Sequence, residues 1–439
     1  MSRLAARWPG VRWGILVAAA LGLALLDGLL CARASLGRTD SWSFPIDDAY
    51  IYGNYVRAAA AGQLFEYNPG ERSGGATGAG WMLLLGGVYP LTGSLGSVPA
   101  RLAPATIRAA DPAAALAAGR LYLAAYSLGA LLLAGAALAC GWLAGECYRP
   151  RPAAAAAGGA LLAGATLLAD QNAIWGAYSG LEIPLSLLLI ALAPAVLLAE
   201  LRRGSGLRWS LLPAALLPWA RPELVIVGGV AGLWVVVSAL RGAVRGRQVA
   251  AYFGAVLAGF AALLGFYTAY TGRPLPSSFY AKVGAVRLDT VGAALQEWAA
   301  AHAWQPFVLL AGAVLGTALL CWGRAAPPAL PPALLPAVCA GAYGVAMLLA
   351  VRWFGQEDRY ILPIHALLLP LAAGPLVVLA AQPGPARVLA RLGANRRWAL
   401  GIAVLGGVVA LGGQIGTARV WAASDYALFV QNIEDAQVA

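Results

Sequence analysis

Apolar runs of about twenty residues recur from one end of the chain to the other, each closed by arginine, glycine or proline. A run of ~20 apolar residues, rising ~1.5 Å per residue as a helix, is long enough to cross the hydrocarbon of a bilayer. The pattern predicts spans at 13–31, 119–143, 153–169, 181–199, 209–220, 222–240, 249–270, 305–322, 333–351, 361–380 and 399–416. The run 209–220 is short for a crossing and needs a thinned or polar-lined region, or a start nearer Ser205. The expected fold is therefore an all-α polytopic membrane protein with about eleven transmembrane helices in one domain, 1–439. Arg3, Arg7 and Arg12 ahead of the first run, and Ala32-Arg33-Ala34 after it, resemble a signal peptide with its cleavage site. The run exceeds a usual signal core, so a first span is the favoured expectation. No internal repeat is visible, which weakens an inverted-repeat transporter.

Composition agrees with the pattern. Hydrophobic residues make up 61% of the chain and charged residues 11%, against ~25% charged in soluble domains. The formal net charge of +11 would suit nucleic acid, but its distribution suits a membrane, and no nucleic-acid partner is expected. With the N-terminus inside and spans alternating, sixteen arginines and only Glu146 and Glu200 fall on the inner side. Fourteen basic residues and sixteen acids fall outside, with Asp27 in the first span. This is the positive-inside asymmetry. Residues 76–92 are apolar enough to cross, but counting them reverses every later loop. They are predicted to dip into, or lie on, the outer face. The first outer loop is then 32–118, with further outer segments at 271–304, 352–360 and a tail at 417–439. The alanine, arginine and glycine bias resembles a GC-rich bacterial product, so an inner or plasma membrane is expected. Cysteines at 31, 140, 147, 321 and 339 show no metal or disulfide spacing, and two histidines, His302 and His365, are too few for a histidine metal site.

Six polar motifs fall on the outer face of this map. Asp47-Asp48-Ala49-Tyr50 follows the first span. Two carboxylates at a membrane surface are costly unless solvated, paired or used; one can act as general base while its neighbour binds metal or orients a hydroxyl. The plain alternative is an N-cap pair opening a helix over 49–60. Asn68-Pro69-Gly70-Glu71-Arg72 is turn chemistry, followed by the glycine-rich 73–80. Pro276-Ser277-Ser278-Phe279-Tyr280-Ala281-Lys282 carries the only lysine of the chain. A compact ammonium there suits a phosphate, or else snorkels at the interface. Arg221-Pro222-Glu223 breaks a helix, and its two charges can pair with each other. Asp358-Arg359-Tyr360 and Ser179-Gly180-Leu181-Glu182 complete the set. Each alone reads more readily as structure than as catalysis; their convergence on one face points to a site there.

As an ordered set, these motifs resemble the GT-C superfamily of polyprenyl-phosphate-dependent glycosyltransferases, in particular actinobacterial enzymes of the mycobacterial arabinofuranosyltransferase kind. The resemblance covers roughly 44–283 and, more loosely, Arg359-Tyr360. It implies a GT-C-like fold with juxtamembrane helices on the first loop and an active site facing the periplasm or exterior. The implied donor is a sugar on a polyprenyl phosphate, and the acceptor a hydroxyl of a glycan, lipid or protein, with membrane lipids as surroundings. Asp47 or Asp48 would take the acceptor proton. Lys282, with Arg72, Arg221 or Arg359, would stabilise the departing lipid phosphate. Tyr50, Asn68, Glu71, Glu182, Glu223, Tyr280 and Tyr360 are the remaining candidate substrate contacts. No cofactor is assigned; a divalent cation, magnesium or manganese, would fall to Asp47 or Asp48. Where relatives read Val-Glu-Gly-Tyr-Thr after the turn, this chain reads Ser73-Gly74-Gly75-Ala76-Thr77, so the acceptor does not carry over. A protein mannosyltransferase or a lipid A-modifying transferase remains open within the enzymes. Outside them stand a transporter or lipid flippase and a non-catalytic scaffold.

Overall fold

The computed structural model describes residues 13–149, 151–282, 305–321, 331–350, 359–360 and 362–380, with single positions at 292 and 296. The expected span 399–416, the tail 417–439, Asp358 and residues 283–291 of the second outer loop lie outside the described residues.

The described chain is helical apart from one small hairpin. Helix α1 (Trp13–Thr39) leads into α2 (Asp48–Ala60), then strands β1 (Glu66–Asn68) and β2 (Glu71–Arg72). Short helices α3 (Ala79–Val88) and α4 (Ala105–Ala110) flank two 3₁₀ turns and precede α5 (Pro112–Tyr148). Next come α6 (Ala153–Leu168), α7 (Gln171–Tyr178), α8 (Ile183–Arg203), α9 (Leu211–Ala220), α10 (Val225–Leu240) and α11 (Gly246–Thr271). The last described elements are α12 (Ser277–Lys282), α13 (Gln305–Cys321), α14 (Leu334–Ala350), α15 (Leu362–Ala372) and α16 (Gly374–Ala380).

The protein is an all-α polytopic membrane protein. Five described helices are long and apolar enough to cross a membrane, namely α1, α5, α8, α10 with its preceding 3₁₀ turn, and α11. Helices α6 and α7 pass the same test only as a pair, bent by 54° at the break between them, which fits a broken span or a re-entrant loop. Shorter apolar helices occupy the other predicted places up to residue 380. Helix α3, within the run 76–92, has 10 residues and rises ~15 Å, as α9 does. The helix predicted at 49–60 is present as α2.

Two boundaries differ from the reading of the sequence. Helix α1 continues to Thr39 and α5 begins at Pro112, so the stretch between them is shorter than the expected loop 32–118. The apolar run ends before the helix does, because backbone hydrogen bonds carry a helix beyond the hydrocarbon wherever a cap holds it. Asp111 accepts from the N–H groups of Ala113 and Ala114 at 3.0 Å and starts α5 there.

Helix α5 is the central post, with α1, α6, α8 and α15 packed around it. Small residues bring the backbones together, as is usual between membrane helices. A Cβ on Gly129 would lie 2.0 Å from the Ala177 carbonyl oxygen, and one on Gly164 2.7 Å from that of Ala137. The two ends of α8 define the two ends of the molecule. Glu182 precedes its first turn, and Arg202 and Arg203 occupy its last, matching the helix dipole at both ends. Twenty residues separate Glu182 from Arg202, about 30 Å at ~1.5 Å per residue, one hydrocarbon thickness. At the arginine-rich end both inner acids are buried and in use. Glu146 receives Arg149 at 2.9 Å and Arg202 at 3.0 Å. Glu200 accepts from the backbone N–H groups of Arg208, Trp209 and Ser210.

Candidate active site

At the other end of α8, five of the six motifs meet. Gly180 adopts φ +82°, a left-handed turn that only glycine enters freely. Its missing side chain also admits Ala49 and Phe44, whose atoms would stand 2.9–3.0 Å from a Cβ. The turn delivers Glu182 to the head of α8 and presents the Gly180 carbonyl to the Trp81 indole N–H at 2.8 Å. On the opposite side, Pro222 sterically excludes the helical region for the residue before it. Arg221 is accordingly extended (φ −153°, ψ 132°), and its side chain turns inward.

Arg221 donates through Nη1 to Glu182 Oε1 at 2.9 Å and through Nε to Glu223 Oε1 at 2.6 Å. Glu182 Oε2 accepts from the Tyr52 hydroxyl at 2.8 Å, and Tyr52 in turn accepts from the Gly78 N–H at 2.7 Å. The motif pair Arg221–Glu223 thus does pair internally, but Glu182 is a second partner brought from another helix. Arg221 and Glu182 are buried, at 2% and 4% exposed, and Glu223 is partly buried. Burial opposes the charge on Arg221, but Glu223 and then Glu182 hold its pKa well above the ordinary value. Burial, and then Glu182, keep the Tyr52 phenol well above its ordinary value, so it stays a donor. The Tyr360 ring lies under Arg221, 4.6 Å from ring centre to guanidinium carbon. Tyr343, fully buried on α14, sits in the same field, and its hydroxyl meets no partner among the described residues.

Directly beside this network is the aspartate pair. Asp47 caps α2 and is exposed; its Oδ1 accepts from the Asp48 N–H at 2.8 Å. Asp48 Oδ2 accepts from Arg359 Nη1 at 2.6 Å, across more than three hundred residues of sequence. Burial works against the Arg359 charge, yet Tyr360 and Asp48 raise its pKa. Arg359 also stands 5.7 Å from the Tyr360 ring. The helix-cap reading therefore holds for Asp47, while Asp48 is held by a cation. Tyr50 accepts from the Phe44 N–H at 3.1 Å and packs edge-on against that ring.

The glycine-rich stretch threads between these elements. A Cβ on Gly78 would fall 2.6 Å from the Ala220 carbonyl oxygen and 2.8 Å from Glu182 Cβ, so the run lets backbone pass where side chains would collide. Thr77 Oγ1 and Ser278 Oγ lie 2.7 Å apart, and the Ser277 N–H donates to the Gly74 carbonyl at 2.7 Å. These bonds seat α12 against the run. Lys282 closes α12, but its side chain lies outside the described residues; Tyr280 is 47% exposed. The hairpin stands further out. Asn68 donates to Glu71 Oε2 at 3.0 Å, both exposed. Exposed Arg72 lies 5.8 Å from the Tyr270 ring. Phe65 anchors the hairpin, fully buried at φ +62° among Tyr55, Phe266, Tyr267 and Tyr270. A bulky residue at positive φ is strained, and that aromatic nest holds it.

Two residues escaped the reading of the sequence. Asp170, at the α6–α7 break, accepts from the Asn172 and Ala173 N–H groups and lies 2.8 Å from His365 Nδ1. Nearly two hundred residues separate the partners. The available signal was an acid followed by Gln-Asn at the close of an apolar run. Tyr52 also went unremarked, although it stands four residues from Asp48 on the same helical face. Among the described residues, no cluster of three or more His, Cys, Asp or Glu comes together to hold a metal.

No protein-family model matches the chain, and no curated protein matches it. Among solved structures, the chain is similar to ArnT from Cupriavidus metallidurans, a crystal structure bound to undecaprenyl phosphate. The TM-score is 0.48 at 16% sequence identity, over 95% of this chain and 74% of ArnT. A likeness at that score carries no argument about activity.

Proposed function

We propose that this protein is a membrane glycosyltransferase of GT-C type that moves a sugar from a polyprenyl-phosphate donor to an acceptor hydroxyl at the outer face. The observation that carries the reading is the Asp48–Arg359 pair, 2.6 Å long, set beside an exposed Asp47 and above the buried Glu182–Arg221–Glu223 network. It joins the motifs that resemble those of arabinofuranosyltransferases.

In the proposed step the acceptor oxygen attacks the anomeric carbon, the bond from that carbon to the phosphate oxygen breaks, and polyprenyl phosphate leaves. The acceptor proton passes to a carboxylate. Asp47 is the better base, since Asp48 Oδ2 is engaged by Arg359. Arg359 sets the place of Asp48, and Arg359 and Lys282 are the cations proposed to stabilise the leaving phosphate. Arg221 is a weaker candidate for that phosphate, because two carboxylates already neutralise it. Arg72 is placed to meet a headgroup arriving from solvent. A divalent cation is not assigned a step: Asp48 is shared with a guanidinium, and among the described residues no three acidic, histidine or cysteine side chains converge on one point that could hold a metal.

Purified protein incubated with polyprenyl-phosphate sugars should release polyprenyl phosphate in an acceptor-dependent way. No release from any arabinosyl, mannosyl or aminoarabinosyl donor would count against the reading. A transporter or flippase is favoured by one observation, the 54° break in α6–α7, where Asp170 meets His365 of α15. Transporters place ion sites on such broken helices. Lipid or sugar movement in proteoliposomes without bond cleavage would select it.

A further inference from the structure

A second charged cluster, remote from the aspartates, borders a groove in the wall of the helix bundle. Helices α1, α5 and α6 enclose about 320 Å³ there. Small residues such as Gly141, Gly145 and Ala157 leave the space, and Leu16, Leu23 and Leu161 line it toward the lipid side. Leu23 and Leu161 are 38% and 45% exposed, so among the described residues the groove is open laterally. One end is basic. Arg149 and Arg151 line it, and Arg202 reaches its Glu146 from α8. Among the described residues, three guanidinium groups there face one carboxylate. The buried Arg151 Nε–H has no partner among the described residues, while its Nη2 donates to the Leu319 carbonyl at 3.1 Å.

We propose that this groove binds an anionic diacyl phospholipid, one acyl chain lying along α1 and α6 and the phosphate meeting Arg149 and Arg151. An apolar trough wants a chain. A cationic surplus at its mouth wants a phosphate, which guanidinium groups engage with paired hydrogen bonds. The arginine asymmetry assigns this end to the cytoplasm, where basic pockets between helices take anionic headgroups. Polyprenyl phosphate is the poorer occupant, because the groove's basic end lies about 30 Å along α8 from Glu182, away from the candidate active site.

The full chain, purified in detergent, is exposed to phosphatidylglycerol, phosphatidylcholine or undecaprenyl phosphate, and retained lipid is counted by native mass spectrometry. Phosphatidylglycerol should be held in preference to phosphatidylcholine, by about five-fold for each guanidinium engaged. Arg151→Gln should lower phosphatidylglycerol retention about five-fold and leave phosphatidylcholine unchanged. Gly145→Leu should lower both; a Cβ there meets only Ala160 Cβ, at 3.9 Å, so the added side chain starts without a clash at a residue that lines the trough. Equal retention of the two phospholipids, indifference to both variants, or displacement of phosphatidylglycerol by undecaprenyl phosphate would each overturn the proposal.

Discussion

The two ends of α8 are built from the same ingredients, arginine and glutamate, with opposite results. At the Glu182 end the cations are sealed in: Arg221 is 2% exposed and Arg359 5%. Acids outnumber them, since Asp47, Asp48, Glu182 and Glu223 gather there. At the Arg202 end the acid is sealed in and the cations look outward. Glu146 has a side chain 2% exposed, against 20% for Arg149 and 36% for Arg202. The first arrangement buries charge to position a frame and leaves a carboxylate at its rim. The second uses charge to tie helices together beside a lipid surface. Arg221 is already neutralised by two carboxylates, which is why the phosphate role is proposed for Lys282.

The contrast predicts unequal costs. Arg221→Leu leaves the buried Glu182 carboxylate, and the partly buried Glu223, without their cation and should destabilise the protein by about 3–5 kcal/mol, the usual result of removing one partner from a buried pair. Thermal unfolding in detergent measures it, and a loss below 1 kcal/mol would place water in the network. Lys282→Met should weaken binding of a polyprenyl-phosphate analogue about ten- to hundred-fold, the weight of one charged hydrogen bond. Lys282→Arg should restore only part of it, since a planar fork differs from a point charge. Equal affinity in wild type and Lys282→Met would pass the phosphate to Arg72 or Arg359. Gly180→Ala forces a Cβ into a left-handed turn, about 1–2 kcal/mol, and against Phe44, and should lower activity with stability. Arg202→Leu is the mildest. A pair whose cation is this exposed is worth about 0–1 kcal/mol, so its unfolding should nearly match wild type.

Much of this was legible in sequence because membrane physics is simple. An apolar run that must satisfy its own backbone becomes a helix, and arginines mark one side. The motifs were visible for local reasons: Pro222 after Arg221, glycine before Glu182, an aspartate pair heading a helix. Their pairing was not. Nothing local joins Asp48 to Arg359, Tyr52 to Glu182, or Asp170 to His365, because each pair is made by helix packing over long sequence separations. The glycine-rich run looked like a ligand loop; Gly78 shows that it is also a clearance for backbone against Ala220 and Glu182. The roles of Lys282 and of the segments beyond residue 380 rest on sequence alone.

The central claim is that a carboxylate on the rim of the acidic end takes a proton during sugar transfer. The direct measurement is single-turnover transfer from a polyprenyl-phosphate sugar by wild type, Asp47→Asn, Asp48→Asn and the double variant, each confirmed folded by its unfolding temperature. General-base catalysis is worth about 10²–10⁴-fold. Asp47→Asn should lose activity on that scale, and Asp48→Asn should lose it through a displaced Arg359. Near-normal turnover in all three variants would contradict the account.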